Sequence, residues 1–444
     1  MIEFVGQSAR DSDNIAADPS RLVNLYREKS GTGVPWLKSV LGMTPVVTLP
    51  GVFITAMSNV DGRLYAVCGG RLYQVSADGS SNDIGSVDHG PASISGNNGL
   101  VAVQAGARFF VHDPAAGTII EPAAGAFQDA GSCEFFENYT ILTELDGRMF
   151  QWSELADPTD LPGLNFSTAD GRDDNIVRAF ALHGQLYLFK QRSHELWFNA
   201  GGAGAEALAR VAGGVRDVGL RARDLICRFV GGAFMVGSDN RAHLVAPGGL
   251  QPVSTPAVET AIKLQRPSAC ISYEDEGHTF VCIIFRDGPA WCYDIATGEW
   301  HERAYGAEIG PWPVSASANL GSDWAIGGNS GMVAVMRRAN MDGSVPLVRE
   351  ATSQTLYLDG ARAVLREFEI FARQGLDSAD IRLSLSRDGG MTWTPWKLRS
   401  LGQVGQYGQR IIWRNQGQAR QVTARLRWTE PHETTVSAQC RIQT

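Results

Sequence analysis

A chain of 444 residues, 44% of them apolar, is long enough to bury a substantial core and to divide into two or three domains unless one is a large repeat array. The formal net charge of −8 argues against a protein that coats duplex DNA, whose affinity comes from neutralising phosphates with Lys and Arg. Seven cysteines without a C-x-x-C pair argue against a disulfide framework or a zinc site, and read as small buried hydrophobes of a chain assembled in reducing cytosol.

The start, Met1-Ile2-Glu3-Phe4, has no basic segment followed by an apolar core, and no window approaches about 18 consecutive apolar residues, so a soluble chain not independently exported is expected. Fifty glycines, more than the 39 Lys and Arg together, predict a chain that turns often. Residues 1–50 contain the extended run Leu22-Val23-Asn24-Leu25-Tyr26, a candidate strand for completing a repeat at the far end of the chain.

From residue 51 a β-rich run, a tight turn and a second run recur seven times, beginning at Arg63, Leu100, Tyr139, Gln185, Ala233, Thr279 and Asp323. The spacing, roughly 40 residues, is what a four-stranded propeller blade requires, each hairpin gaining two more variable strands. A lone blade leaves both faces of its sheet wet, so the repeats must stack, and radial closure removes most open edges. Seven blades are expected, with six as the alternative. The Gly201 to Gly214 stretch reads as a loop or a short helix. Thr255-Pro256 opens a short helix, with Thr at the N-cap and Pro at the first helical position.

From about residue 360 the runs lengthen, as in Arg366 to Phe371, Asp380 to Leu385, Gln409 to Trp413 and Val422 to Trp428, and their alternation marks sheets with one wet face. The predicted fold is therefore all-β: residues 1–50 an extended segment closing a β-propeller, residues 51–358 the propeller, and residues 359–444 a β-sandwich. Residues 361–444 carry 13 Lys/Arg and 7 Asp/Glu, a balance of +6, leaving 26 − 40 = −14 for residues 1–360.

Ser386-Arg387-Asp388-Gly389-Gly390-Met391-Thr392-Trp393 fits the Asp-box pattern, in which the carboxylate bonds local amides, the glycines allow positive φ and the Trp anchors the turn. It reads as a hairpin fastener. A glycan-cleaving propeller would need two carboxylates facing across a cleft, and the many acids, Asp157 and Glu195 among them, form no such constellation in sequence. Asp170, Asp173 and Asp174 lack the alternation and closing Glu of a calcium loop and read as a solvated acidic turn. The eight histidines (His89, His112, His183, His194, His243, His278, His301 and His432) show no metal spacing, and no nucleophile elbow or phosphate-binding loop is present. No catalytic, cofactor or metal residues are assigned, and no enzyme is expected. Trp36, Trp312 and Trp396 are candidates for a glycan-binding surface, against the plainer reading of core or interface anchors.

Longer strings are more specific. They are Arg21 to Glu28, with Asn24 and Tyr26; Phe150 to Asp157, with Ser153; Phe166 to Asp170; Asp174 to Val177; and Glu195-Leu196-Trp197-Phe198-Asn199-Ala200-Gly201. Gly277-His278-Thr279-Phe280 then leads to Trp291-Cys292-Tyr293-Asp294 and on to Trp300-His301-Glu302-Arg303. The box Asp388, Gly389, Gly390, Trp393 and the glycine-spaced Leu401 to Gly408 complete the series. In order and number these strings resemble the packaged-DNA stabilisation, or tail-hub, family of short-tailed bacteriophages. The resemblance implies a structural virion protein, assembled in the host cytoplasm. It implies several copies, six by expectation, in a ring below the portal adaptor, with tail needle or tailspikes attached. Genomic DNA would be only a passing strand, which the hub helps to retain until ejection. The alternative is a sialidase-like propeller that cleaves or binds glycans.

Overall fold

The seven sequence hairpins are the two middle strands of seven antiparallel blades, and their partners pair residue for residue, as in Val67 with Leu72 and Val103 with Phe110. A computed structural model describes residues 2–5, 9–10, 12–15, 17–28, 35–358, 362–373, 379–403, 405–406, 409–430 and 434–443. Val404, Tyr407, Gly408 and His432 lie outside the described residues.

Each blade adds an inner strand toward the central axis and an outer one. Blades one to five span residues 54–86, 92–120, 130–168, 176–217 and 226–252; blade six spans 267–303 and blade seven begins at 314. In five of the seven blades the inner strand enters its hairpin through a turn with left-handed backbone at two successive residues, such as Asn98 and Gly99 at φ 52° and 77°. Such turns match the right-handed twist of the flanking strands, and Asn and Gly adopt them at least cost. The faces between blades are apolar: Tyr65, Val67 and Leu72 of blade one pack on Val101, Val103 and Phe110 of blade two. Each such buried side chain contributes about 1.5–3 kcal/mol, and the stacking holds the ring.

Blade seven is closed from the other end of the chain. Gly42–Thr48 pairs antiparallel with Met332–Arg337 as its fourth strand, with a register shift at Pro45, which has no N–H to give. The run Leu22 to Tyr26, expected in that place, lies elsewhere. Arg21–Val23 is held between the outer strand of blade six, Glu299–Arg303, and Arg349–Thr352, while Leu25–Glu28 pairs with Trp36–Ser39.

Those N-terminal strands belong to the sandwich. One of its sheets runs Leu25–Glu28, Trp36–Ser39, Thr435–Gln443, Ala363–Arg373, Gln409–Ala419, with Ile2–Glu3 beside Thr435–Gln443. The other runs Arg21–Val23, Arg349–Thr352, Gln421–Trp428, Asp380–Ser386, Lys397–Ser400, and through Arg21–Val23 it continues into blade six as one ten-stranded sheet. Between them lie Phe4, Leu25, Leu37, Phe368, Leu383, Trp413, Leu426 and Val436. Strand pairing thus starts the sandwich at Arg349 rather than at residue 359 and gives it residues from the chain's start. Without those strands, two long sheet edges would be left unpaired.

The helix is Pro256–Leu264, burying Val258, Ala261 and Ile262. The Thr255 hydroxyl does not cap it and donates instead to the carbonyl of Arg10. The glycine-rich stretch is half loop and half strand: after a single turn at Gly204–Glu206, Leu208–Asp217 forms the outer strand of blade four. Six cysteines are buried and Cys227 is half-buried; none is in a disulfide.

Candidate functional site at the propeller–sandwich joint

A buried network of charged and amide side chains sits where blade six meets the N-terminal segment. Asn24 interrupts the strand there with a left-handed backbone, φ 55°, which Asn tolerates because its short amide can bond locally. Its Nδ2 donates to the carbonyls of Ala304 (3.1 Å) and Val348 (2.9 Å), and its Oδ1 accepts from the Ala304 amide (2.9 Å) and from Arg303 (3.0 Å). One amide thereby joins the N-terminal segment between Arg21–Val23 and Leu25–Glu28, blade six and the entry to the sandwich.

Arg303 is fully buried. Its guanidinium lies over the Trp312 ring at 4.8 Å and donates to Asp342 Oδ1 at 2.6 Å and to the carbonyls of Ala304 and Leu41. Asp342 Oδ1 also accepts from the amide of Met43, so the network reaches the closing strand of blade seven. A buried charge needs such a set of partners to offset the loss of water. Trp312, a candidate glycan platform by sequence, is the floor under this cation.

Around this centre, Arg21 grips Glu302 through two bonds of 2.8 and 2.6 Å, and Arg427 grips Glu350. Burial opposes the Arg21 charge, but Glu302 and Glu350 outweigh it and hold the guanidinium above its ordinary pKa. Arg349, stacked on Trp428, is pushed down to about 10 by burial.

Tyr26 wedges its ring between His278 (5.0 Å) and Phe280 (5.1 Å), near His301, and its hydroxyl meets Asp275, which Arg338 also holds at 2.9 Å. His278 Nδ1 lies 2.7 Å from Asp294, whose oxygens also accept from Thr297 and the Ala296 amide. Burial works against the Asp294 carboxylate, yet these bonds hold its pKa below the usual range, and Asp294 in turn raises that of His278. Gly277, at φ 86°, forms the turn that presents His278, while Trp300 donates to the carbonyl of Val253, just after blade five, and packs on Tyr293.

The sequence-derived positions therefore fall into three groups. Asn24, Tyr26, Gly277, His278, Tyr293, Asp294, Trp300, His301 and Arg303 converge on or beside the joint. Ser153, Asp157, Glu195 and Trp197 lie in blades three and four. Ser153 is bonded to the Thr140 amide, Asp157 caps its own turn at Thr159, and Trp197 meets Phe150 edge-on at 4.8 Å. Glu195 is buried with Lys190, which also faces Asp174 at 3.3 Å and donates to two carbonyls. The acidic turn is accordingly not simply solvated: Asp174 is buried on Lys190, and Asp170 and Asp173 pair with Arg210 and Arg148. Among the described residues, no group of three His, Cys, Asp or Glu could hold a metal.

In the third group, Asp388 accepts from the amides of Met391 and Thr392 and the hydroxyl of Ser386, and Trp393 donates to Gly390: a local fastener. Lys190, Arg338, Asp342 and Arg349 were not singled out by sequence. Lys190 did carry a signal, a lone charge ending the apolar run Leu186-Tyr187-Leu188-Phe189.

A family model described as bacteriophage P22 Gp10, beta-propeller, matches residues 5–339, and a second, bacteriophage P22 Gp10, beta-sandwich, matches residues 349–444. The chain belongs to the P22 Gp10 family. It is a structural protein of the phage tail hub, and so a virion component. In this tail-hub chain the joint falls at the boundary between the two matched stretches, with Asp342 in the gap between them.

No curated protein matches the chain. Solved structures similar to it include the computationally designed Ika8 protein, at 13% identity and a TM-score of 0.40 over 66% of this chain and 99% of that one. A chain of the Mitotic Checkpoint Complex gives 12% and 0.48 over 67% and 92%. PorZ of the Porphyromonas gingivalis type-IX secretion system gives 11% and 0.41 over 72% of this chain and 44% of its own. At these scores the likenesses carry no argument about function.

Proposed function

We propose that the tail-hub chain acts mechanically. Six copies form a ring below the portal adaptor, carry the tail needle or tailspikes, help to retain packaged DNA and pass on the signal for its ejection. The observation that carries this reading is the continuous ten-stranded sheet from blade six through Arg21–Val23 into the sandwich, pinned by Asn24, Arg303 and Asp342. A hub that joins parts above and below must hold its two domains in one orientation, and a bidentate, buried arginine network admits few alternative geometries. The balance of −14 in residues 1–360 suits a surface past which DNA slides, since it repels phosphate. In this reading the chain catalyses no reaction and assembles in the host cytoplasm.

Imaging of virions from a phage lacking the gene tests it. The expected result is particles that lose their DNA and lack the distal tail. DNA-filled, leak-free and fully tailed particles would overturn the proposal.

A further inference from the structure

The axis of the propeller holds a cavity of about 890 Å³, within the size range of small-molecule sites. A side chain reaches across one end of the ring. Arg223, in the link between blades four and five, reaches across to the Ala92 carbonyl and Gln104 of blade two and the Gly131 carbonyl of blade three, where inner strands begin. At the opposite end the cavity opens between exposed turns, at Asp61, Asn98 and His183.

Its wall is chemically one-sided. Below the rim, the lining from blades one, two and seven bears no charge and offers hydroxyls and amides such as Ser58, Asn59 and Asn319. The wall of blades three to five carries Glu134, Arg178, Asp224 and Arg228, with the Glu137 carboxylate exposed at its rim. Asp224 is engaged by Arg223 and faces Arg178 at 4.0 Å. Arg228 is half exposed, rests on Phe180 at 4.7 Å, and has one ion-pair contact among the described residues, Glu134 at 3.3 Å. Burial lifts the Glu134 carboxyl above its usual range, opposed by the neighbouring Arg228 and Arg178. Near the rim, Trp324 stands half-buried in the same lining.

A cation on one side, neutral hydrogen-bonding groups on the other and an indole at the entrance suit a ligand with an anionic group, several hydroxyls and a C–H-rich ring face. We propose that this funnel binds a short acidic saccharide, its carboxylate on Arg228 and a sugar ring on Trp324. The inference is independent of the tail-hub role.

Isothermal titration of the full-length chain with digalacturonate, a neutral galactose disaccharide and inorganic phosphate tests it. Digalacturonate should saturate one site per chain, with Arg228→Gln and Trp324→Ala each weakening it about tenfold or more while circular dichroism stays unchanged. Arg228→Lys keeps the charge and protects against a folding failure; it should weaken binding about threefold. The absence of saturable binding, equal binding of the neutral disaccharide or of phosphate alone, or binding untouched by all three substitutions would overturn the proposal.

Discussion

Two seams are made by the same N-terminal stretch, and they are built differently. At blade seven, Gly42–Thr48 closes the ring by a run of backbone pairs along Met332–Arg337, with Val333 fully buried behind it. At blade six, Arg21–Val23 touches the outer strand through a single parallel pair, Val23 with Glu302, and side chains supply the rest: Arg21 on Glu302, Asn24 on Ala304, Arg303 on Asp342. A ladder seals an edge but specifies orientation weakly, since a slip of two residues keeps inside and outside the same. A fork of guanidinium bonds has one good geometry. The ring is sealed with backbone; the domains are oriented with charge.

The contrast breaks most sharply at Arg303. Arg303→Ala strands the Asp342 carboxylate without water or a counter-charge, and should cost about 3–5 kcal/mol in urea unfolding. The double change Arg303→Met with Asp342→Leu should recover most of that loss, because no orphan charge remains. Recovery of stability with loss of assembly into particles would separate orienting from stabilising. Asn24→Ala removes four hydrogen bonds and the short amide that makes the left-handed backbone tolerable, for about 2–3 kcal/mol by the same measurement.

At the apolar seam, Val333→Ala should cost about 2 kcal/mol through lost packing alone, with no dependence on pH between 5 and 9. The smallest effect belongs to His278 and Asp294. The raised His278 pKa contributes stability that is complete below the unfolded histidine value and lost as pH rises through the folded one. The lowered Asp294 pKa contributes stability that is present above the unfolded carboxylate value and lost as pH falls through the folded one. The pair is therefore strongest at about pH 5 to 6. His278→Gln should cost about 1 kcal/mol at pH 5.5 and less at pH 8.5, read as a flatter stability curve against pH.

Much of the ring was legible because its rules are local. Alternation from Arg63 to Val67 and from Arg71 to Val75, with a turn between, specifies a hairpin whatever surrounds it, and the repeat specifies stacking. The joint was legible only as a set of residue strings. Asn24 and Arg303 stand 279 positions apart, and nothing in either neighbourhood announces the other. Asp342 was missed for the same reason, being an ordinary charge until its partners arrive from other strands. The run Leu22 to Tyr26 reads as a strand, and most of it is one, but its pairing partners are a tertiary matter; the strand that closes blade seven comes twenty residues after its start.

The amino-acid sequence by itself determined the all-β class, the repeat and the hairpin registers, and the self-contained Asp-box turn, because period, turn chemistry and short-range hydrogen bonds act within about ten residues. Only the tertiary structure decided which N-terminal strand seals the ring, that the chain's two ends build one sandwich, and which charges become buried pairs. Those outcomes depend on which edges and carboxylates are left unsatisfied once the blades have stacked, and that is settled by the whole fold.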